Sequence, residues 1–198
     1  LGATLINMGY EKTSLGIFIN SALIHSMTFP IGIHHITKDI SRLCSLTVEE
    51  SEMIRDNLGC FFWDNKKSLE KEKNLSEKFF VNSNFRKITK SFLTEIIVAR
   101  IEEILKIIKK EIRCTGLSLT SGQNVLLTGV GSTLPNLQKF SSDYFDTNVK
   151  LLKFKNLDSC EGALNIIFNG WDTEAIPERM NNNHKRKGFL SKMLGNWA

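Results

Sequence analysis

The stretch from Ser91 to Arg113 does most to limit the folds open to this chain. Its apolar side chains recur at helical spacing in two adjacent rows. One row is Phe92, Ile96, Ala99, Glu103 and Ile107; beside it run Leu93, Ile97, Ile101, Ile104, Leu105 and Ile108. A stripe that wide marks a helix that must be covered by other parts of the fold. Lys106, Lys109, Lys110 and Arg113 favour its C-terminal end, where the helix dipole prefers cations.

The chain around this helix mixes strands and helices. Thr4 to Ile6 begins a strand that breaks at Gly9, Ser14 to Ile19 is a second, and Ala22 to Phe29 a third, ending at Pro30-Ile-Gly32. Tight turns between them predict a meander. His34 to Leu43 reads as a helix, with His34 and His35 as turn or helix-start residues. Thr47-Val-Glu-Glu50 carries a capping-box signature for a helix through Val48, Met53, Ile54 and Leu58 that stops at Gly59. Residues 64–78 are a mixed-charge run, read as a solvated loop or short exposed helix. Phe79 to Val81 reads as a short strand, Asn124 to Thr128 as an apolar strand, Leu134 to Phe145 as a helix and Val149 to Leu152 as a strand. Ser159 to Phe168 is predicted as a last core helix, and Trp63 and Trp171 as packing residues. The fold class is therefore α/β.

Of the net charge of +5, +4 lies in residues 178–198, so the body is nearly neutral. A nucleic-acid footprint would more often be a basic stripe on the folded body, and no nucleic-acid partner is expected. Cys44, Cys60, Cys114 and Cys160 lie far apart without a CxxC pair, which speaks against a zinc or redox motif. No run is long enough to span a membrane. Leu1 begins a stretch that already reads as strand, so the sequence is expected to be a piece of a longer protein.

The last eleven residues are a separate unit. Wound as a helix, Phe189, Leu190, Met193, Leu194 and Trp197 fall within roughly 140° on one side. Lys185, Arg186 and Lys187 precede them, Lys192 lies on the polar side, and Asn181-Asn-Asn183 is a loose tether. An apolar face with a basic flank is the pattern of a helix lying in an anionic membrane interface. Docking on the chain's own core or in a partner's groove are the alternatives.

Two glycine turns carry the chemical signals. Leu126 to Leu137 reads strand–Gly129-Val-Gly131–helix, where backbone can approach a ligand and a helix N-terminus favours anions. Ile6-Asn-Met-Gly9 with Thr13 spans the first hairpin. In order, Asn7-Met-Gly9-Tyr-Glu-Lys-Thr13, Pro30-Ile-Gly32 with Thr37-Lys-Asp39-Ile40, Arg100-Ile-Glu-Glu103-Ile104, and Leu126-Leu-Thr-Gly129-Val-Gly131-Ser-Thr-Leu134-Pro-Asn-Leu137 resemble motifs of the actin and Hsp70 ATPase superfamily. Within it the match is to the bacterial FtsA cell-division family, whose pattern also closes on an amphipathic helix after a linker.

The resemblance implies the second half of an actin-like protein. Residues 1–46 and 114–172 would form subdomain 2A, 47–113 the inserted subdomain 2B, 173–187 a flexible linker and 188–198 a membrane-targeting helix. It implies ATP with Mg2+ in the complete protein, placed by Asn7, Gly9, Thr13, Arg100, Glu103, Gly129, Gly131 and Ser132. It also implies self-association into filaments, and a role anchoring FtsZ filaments to the cytoplasmic face of the inner membrane at the division site. The FtsZ tail would be received on 2B, with Arg86 and Lys87 as contacts for its acidic residues. The alternative is an active ATPase without a membrane role. The chain departs from the family's phosphate loop. Asn7 stands where the family has an acid, and an amide cannot supply the charge that holds a cation near phosphates. Tyr10 and Glu11 replace glycines, and Val130 replaces another. The expectation is an adaptor that is not an enzyme.

Overall fold

The computed structural model describes residues 2–20, 22–60, 73–116, 124–152 and 158–169. The tether, the terminal helix with all its membrane-facing residues, Trp63, Trp171 and residues 64–72 lie outside them.

Strands β1 (Gly2–Met8), β2 (Thr13–Ile19) and β3 (Ala22–Phe29) form the predicted meander. β4 (Asn124–Thr128) and β5 (Val149–Leu151) complete a five-stranded sheet in the order β3-β2-β1-β4-β5. β1 is antiparallel to β2 and parallel to β4, with Ile6 opposite both Leu15 and Leu127. Alternation then puts Thr4, Ile6, Met8, Leu15, Ile17, Val125, Leu127 and Val149 on one buried face.

The crossover from β3 to β4 carries α1 (Ile33–Cys44), α2 (Val48–Leu58) and α3 (Lys90–Cys114). α4 (Leu137–Phe145) lies between β4 and β5, and α5 (Asp158–Asn169) follows β5. α1 packs on α2 and α3, and α3 on α4. The buried faces of strands and helices make one apolar cluster. The second predicted row of α3 enters it whole, with Leu93, Ile97, Ile101, Ile104, Leu105 and Ile108 fully buried; of the first row Ile96 enters and Ile107 packs against it, whereas Phe92 is 43 % exposed.

Three elements differ from the sequence reading. On α2, Val48 and Met53 face outward, while Glu50, Ser51, Ile54, Arg55 and Leu58 face inward. Residues Glu77–Phe79 form a 3-10 turn instead of a strand at 79–81. The amides of Asn82 and Ser83 go to the Glu50 carboxylate rather than to a neighbouring strand. α5 forms where expected, but Leu164, Ile167 and Phe168 are exposed, so among the described residues its apolar side has no cover.

Candidate functional site

Most of the described candidate site residues gather around α1, and its two ends differ in kind. Gly32 begins it, and a Cβ there would collide with the carbonyl oxygens of Gly9 and Tyr10. That closeness lets the β1–β2 turn cap the helix. The Ile33 and His34 amides donate to the Gly9 and Tyr10 carbonyls at 3.1 and 2.8 Å. These are amides that an open helix N-terminus would offer an anion. The Gly32 amide donates to His35 Nδ1 at 3.2 Å.

The turn's side chains close it further. The Tyr10 ring stacks on His34 with centroids 4.6 Å apart, and its hydroxyl donates to Glu52 Oε1 at 2.6 Å. That bond raises the Tyr10 pKa. Glu11 Oε1 lies 3.8 Å from His34 Nε2. The Gly9 amide is used on Lys12 O at 2.9 Å. Thr13 is fully buried, its hydroxyl donating to the Ile31 carbonyl at 2.7 Å.

The second glycine turn meets the first. Asn7 pairs in register with Ser14 on one side and Thr128 on the other. Gly129 has a φ of 88°, and a Cβ there would strike Asn7 Oδ1 and the Met8 carbonyl. Only glycine fits both the torsion and the approach. Gly131 is buried against Met8 and Ile33. The Ser132 hydroxyl donates to the Gly129 carbonyl at 2.7 Å, closing a 3-10 turn over Val130–Thr133. So Asn7, Gly9, Gly129 and Gly131 come together as expected. As built they do not fit the phosphates and cation of ATP: a carboxylate and a phenol crowd the turn, and the amides and hydroxyls named above bond to the protein's own carbonyls, to Glu52 or to the His35 ring.

The middle of α1 is gripped by two arginines. Arg55 on α2, only 4 % exposed, donates through Nη1 to Thr37 Oγ1 at 2.5 Å and through Nε to Asp56 at 2.8 Å. Arg100 on α3 takes Asp39 as a fork, Nε to Oδ2 at 2.7 Å and Nη2 to Oδ1 at 3.0 Å, and also bonds Glu103. Its hydrogen bonds to Asp39 hold its pKa above the ordinary arginine value. Asp39 sits about 9 Å along α1 from Ile33, at 1.5 Å rise per residue. Arg100 and Glu103 thus line a recess of about 260 Å³ with Asp39, Leu43, Ile96 and Ala99.

A larger groove opens at the C-terminal end of α1. It holds about 370 Å³, and Arg86 and Lys87 line it with Leu43, Ile88, Thr89 and Phe92, among others. Leu43 is 62 % exposed. The Arg86 guanidinium donates to the Cys44 carbonyl at 3.1 Å, serving as a cation at the helix's negative end. Leu43 lines both recesses, so they are neighbours along one α1–α3 trough. The signal for this trough was present in the sequence: it is the first apolar row of α3, which stays partly outside the core.

A family model described as Cell division protein FtsA matches residues 4–164. The cell division protein FtsA of Bacillus subtilis is 31 % identical over 152 residues, 76 % of this chain and 33 % of that protein. That of Agrobacterium fabrum is 28 % identical over 155 residues, 76 % of this chain and 34 % of that protein. The chain spans about a third of the length of these relatives. Among solved structures, MreB5 of Spiroplasma citri bound to AMPPNP superposes with a TM-score of 0.62 at 15 % identity, covering 85 % of this chain and 53 % of that one. A PilM–PilN type IV pilus biogenesis complex gives 0.54 at 14 %, covering 77 % and 35 %. At such identities the likeness is one of fold.

Proposed function

This chain belongs to the FtsA family of cell-division proteins and has an actin-like fold, and we propose that it is an adaptor that ties FtsZ filaments to the cytoplasmic face of the inner membrane. In this reading the groove at the C-terminal end of α1 takes the acidic, apolar C-terminal tail of FtsZ. Arg86 and Lys87 meet its acids, and Leu43 and Phe92 its apolar side chains. Residues 47–113 act as subdomain 2B, and 1–46 with 114–172 as subdomain 2A. The helix 188–198 lies in the anionic bilayer surface through Phe189, Leu190, Met193, Leu194 and Trp197, with Lys185, Arg186, Lys187 and Lys192 at the headgroups. The complete protein self-associates into actin-like filaments.

The single observation that carries this reading is the contrast at the ends of α1: a turn closed on itself where a nucleotide's phosphates would sit, and an open cationic, apolar groove where a tail would sit. In this reading the adaptor does not turn over ATP, and the closed turn is what supports that part of the proposal. Adenosine contacts from Arg100 and Glu103 remain part of the proposal for the complete protein. The test is fluorescence anisotropy of a labelled FtsZ C-terminal peptide against the intact chain. Saturable binding lost on charge reversal at Arg86 and Lys87 supports the reading; equal binding by the reversed variant removes them from the site.

A further inference from the structure

Glu50 is fully buried, yet it touches neither recess. A capping-box glutamate needs only one bond, back to the cap residue, and Glu50 Oε2 makes it, accepting from the Thr47 amide at 2.9 Å. Its other capacity goes far along the chain. Oε1 accepts from the amides of Asn82 and Ser83, both at 2.8 Å, and Oε2 also accepts from Ser83 Oγ at 2.5 Å. A buried carboxylate is tolerated only when it is this fully hydrogen-bonded.

Asn82 and Ser83 immediately precede the segment that carries Arg86 and Lys87. That segment has a second fixed foot: the Leu75 amide donates to the Ile88 carbonyl at 2.7 Å, and Ile88 is buried in the core. Between the two feet the chain forms a short arch. Phe85 rests edge-to-face on Phe80 at 5.2 Å, and Arg86 reaches back to Cys44 O. Freeing one foot would lengthen the arch and scatter the two cations.

We propose that Glu50 is the positioning residue for the partner groove, holding the Asn82–Ser83 backbone so that Arg86 and Lys87 stand at its lip. The inference rests on the proposed tail-binding reading and adds the device that sets the lip's geometry.

A double-mutant cycle on the full chain tests it, with the labelled FtsZ C-terminal peptide as probe and amide hydrogen exchange as a second readout. Glu50→Gln should weaken the peptide about tenfold, the scale of one lost charge-assisted bond. It should also speed exchange across 82–88 at least tenfold more than in β1 and β4. In an Arg86→Ala/Lys87→Ala background it should weaken the peptide no further, because the groups it positions are gone. Ser83→Ala, which leaves the α2 cap intact, should shift affinity and exchange the same way by two- to threefold. Unchanged binding in Glu50→Gln, an equal extra loss in the alanine background, or exchange that rises uniformly over the chain would overturn the proposal. If Glu50→Gln does not fold, wild-type affinity in Ser83→Ala would overturn it. If Arg86→Ala/Lys87→Ala binds like wild type, the tail-binding reading fails, and exchange across 82–88 then decides alone whether Glu50 holds the lip.

Discussion

The two ends of α1 are built from similar parts and do opposite things. At the N-terminal end, backbone amides bond to backbone carbonyls, Tyr10 stacks on His34 and bonds Glu52, Glu11 lies beside His34, and the turn between β1 and β2 becomes part of the helix cap, leaving the buried His34 Nδ1 without a partner among the described residues. At the C-terminal end, Arg86 caps the helix but leaves Lys87, Leu43 and Phe92 facing an open groove. A turn whose backbone amides are taken up by the protein's own carbonyls has few donors left for an anion. A cationic lip beside uncovered apolar surface has both charge and area to give.

The sharpest way to break this comparison is to reverse the lip. Arg86→Glu with Lys87→Glu should weaken the FtsZ peptide by roughly a hundredfold or more, at about 1.5–3 kcal/mol per charged contact. Tyr10→Ala with Glu11→Ala, at the other end of the same helix, should leave that affinity within about twofold. Anisotropy titrations of both variants give the answer; a turn variant that loses as much as the lip variant would show that the two ends are not independent.

The arginine grip on α1 ranks next. Arg55→Ala leaves the buried Thr37 hydroxyl unpaired and empties a buried site, and should cost about 2–4 kcal/mol in urea unfolding. Arg100→Ala breaks a pair that is about a quarter exposed, so the loss should be nearer 1 kcal/mol. An Arg100 variant that costs more than the Arg55 variant would invert the ranking by burial.

These interactions mark where the sequence stopped being readable. The meander, β4 and β5 were legible because strand patterning and turn residues act locally. The Thr47–Glu50 capping box was legible for the same reason, but its second half was not, since Asn82 lies 32 residues away and reaches Glu50 only through the fold. Helical spacing marked Val48, Met53, Ile54 and Leu58 as one apolar set, yet only Ile54 and Leu58 face inward, joined by Ser51 and by Arg55, which finds its partner Thr37 on α1. Asp39 stood in a recognisable motif, while its partner Arg100 had to be brought to it by α1–α3 packing. The glycine turns were placed correctly together. What the residues between them do, with Tyr10 and Glu11 folding back on α1 and α2, needed the structure.

Acid titration sharpens the comparison from the α2 side. Burial pushes the Glu50 carboxyl up, but the Ser83 hydroxyl and the amides of Thr47, Asn82 and Ser83 outweigh it and hold the pKa at about 2, against 4.5 for an ordinary glutamate. A depressed folded pKa stabilises the fold above the unfolded value and loses that stabilisation as pH falls through the folded one. The stability gap between wild type and Glu50→Gln should therefore be full above pH 4.5 and shrink toward pH 2. A gap that stays constant over that window would detach the effect from this carboxylate.

The smallest expected effect is at the turn itself. The chain alone should show no magnesium-dependent phosphate release. In a complete protein, Asn7→Asp with Glu11→Gly should tighten magnesium–ATP by only a few-fold, about 1 kcal/mol, because Tyr10 and the capped amides remain in place. No change would mean that this turn is not where phosphates approach.

The adaptor claim itself is tested most directly by bridging. A labelled FtsZ C-terminal peptide is mixed with phosphatidylglycerol-containing vesicles and sedimented with and without the chain. The peptide should pellet only when the chain is present, and either Leu194→Glu or Arg86→Glu with Lys87→Glu should return it to the supernatant. Peptide that stays in solution with the wild-type chain, or that pellets equally with both variants, would contradict a protein that holds a filament tail at one end and a membrane at the other.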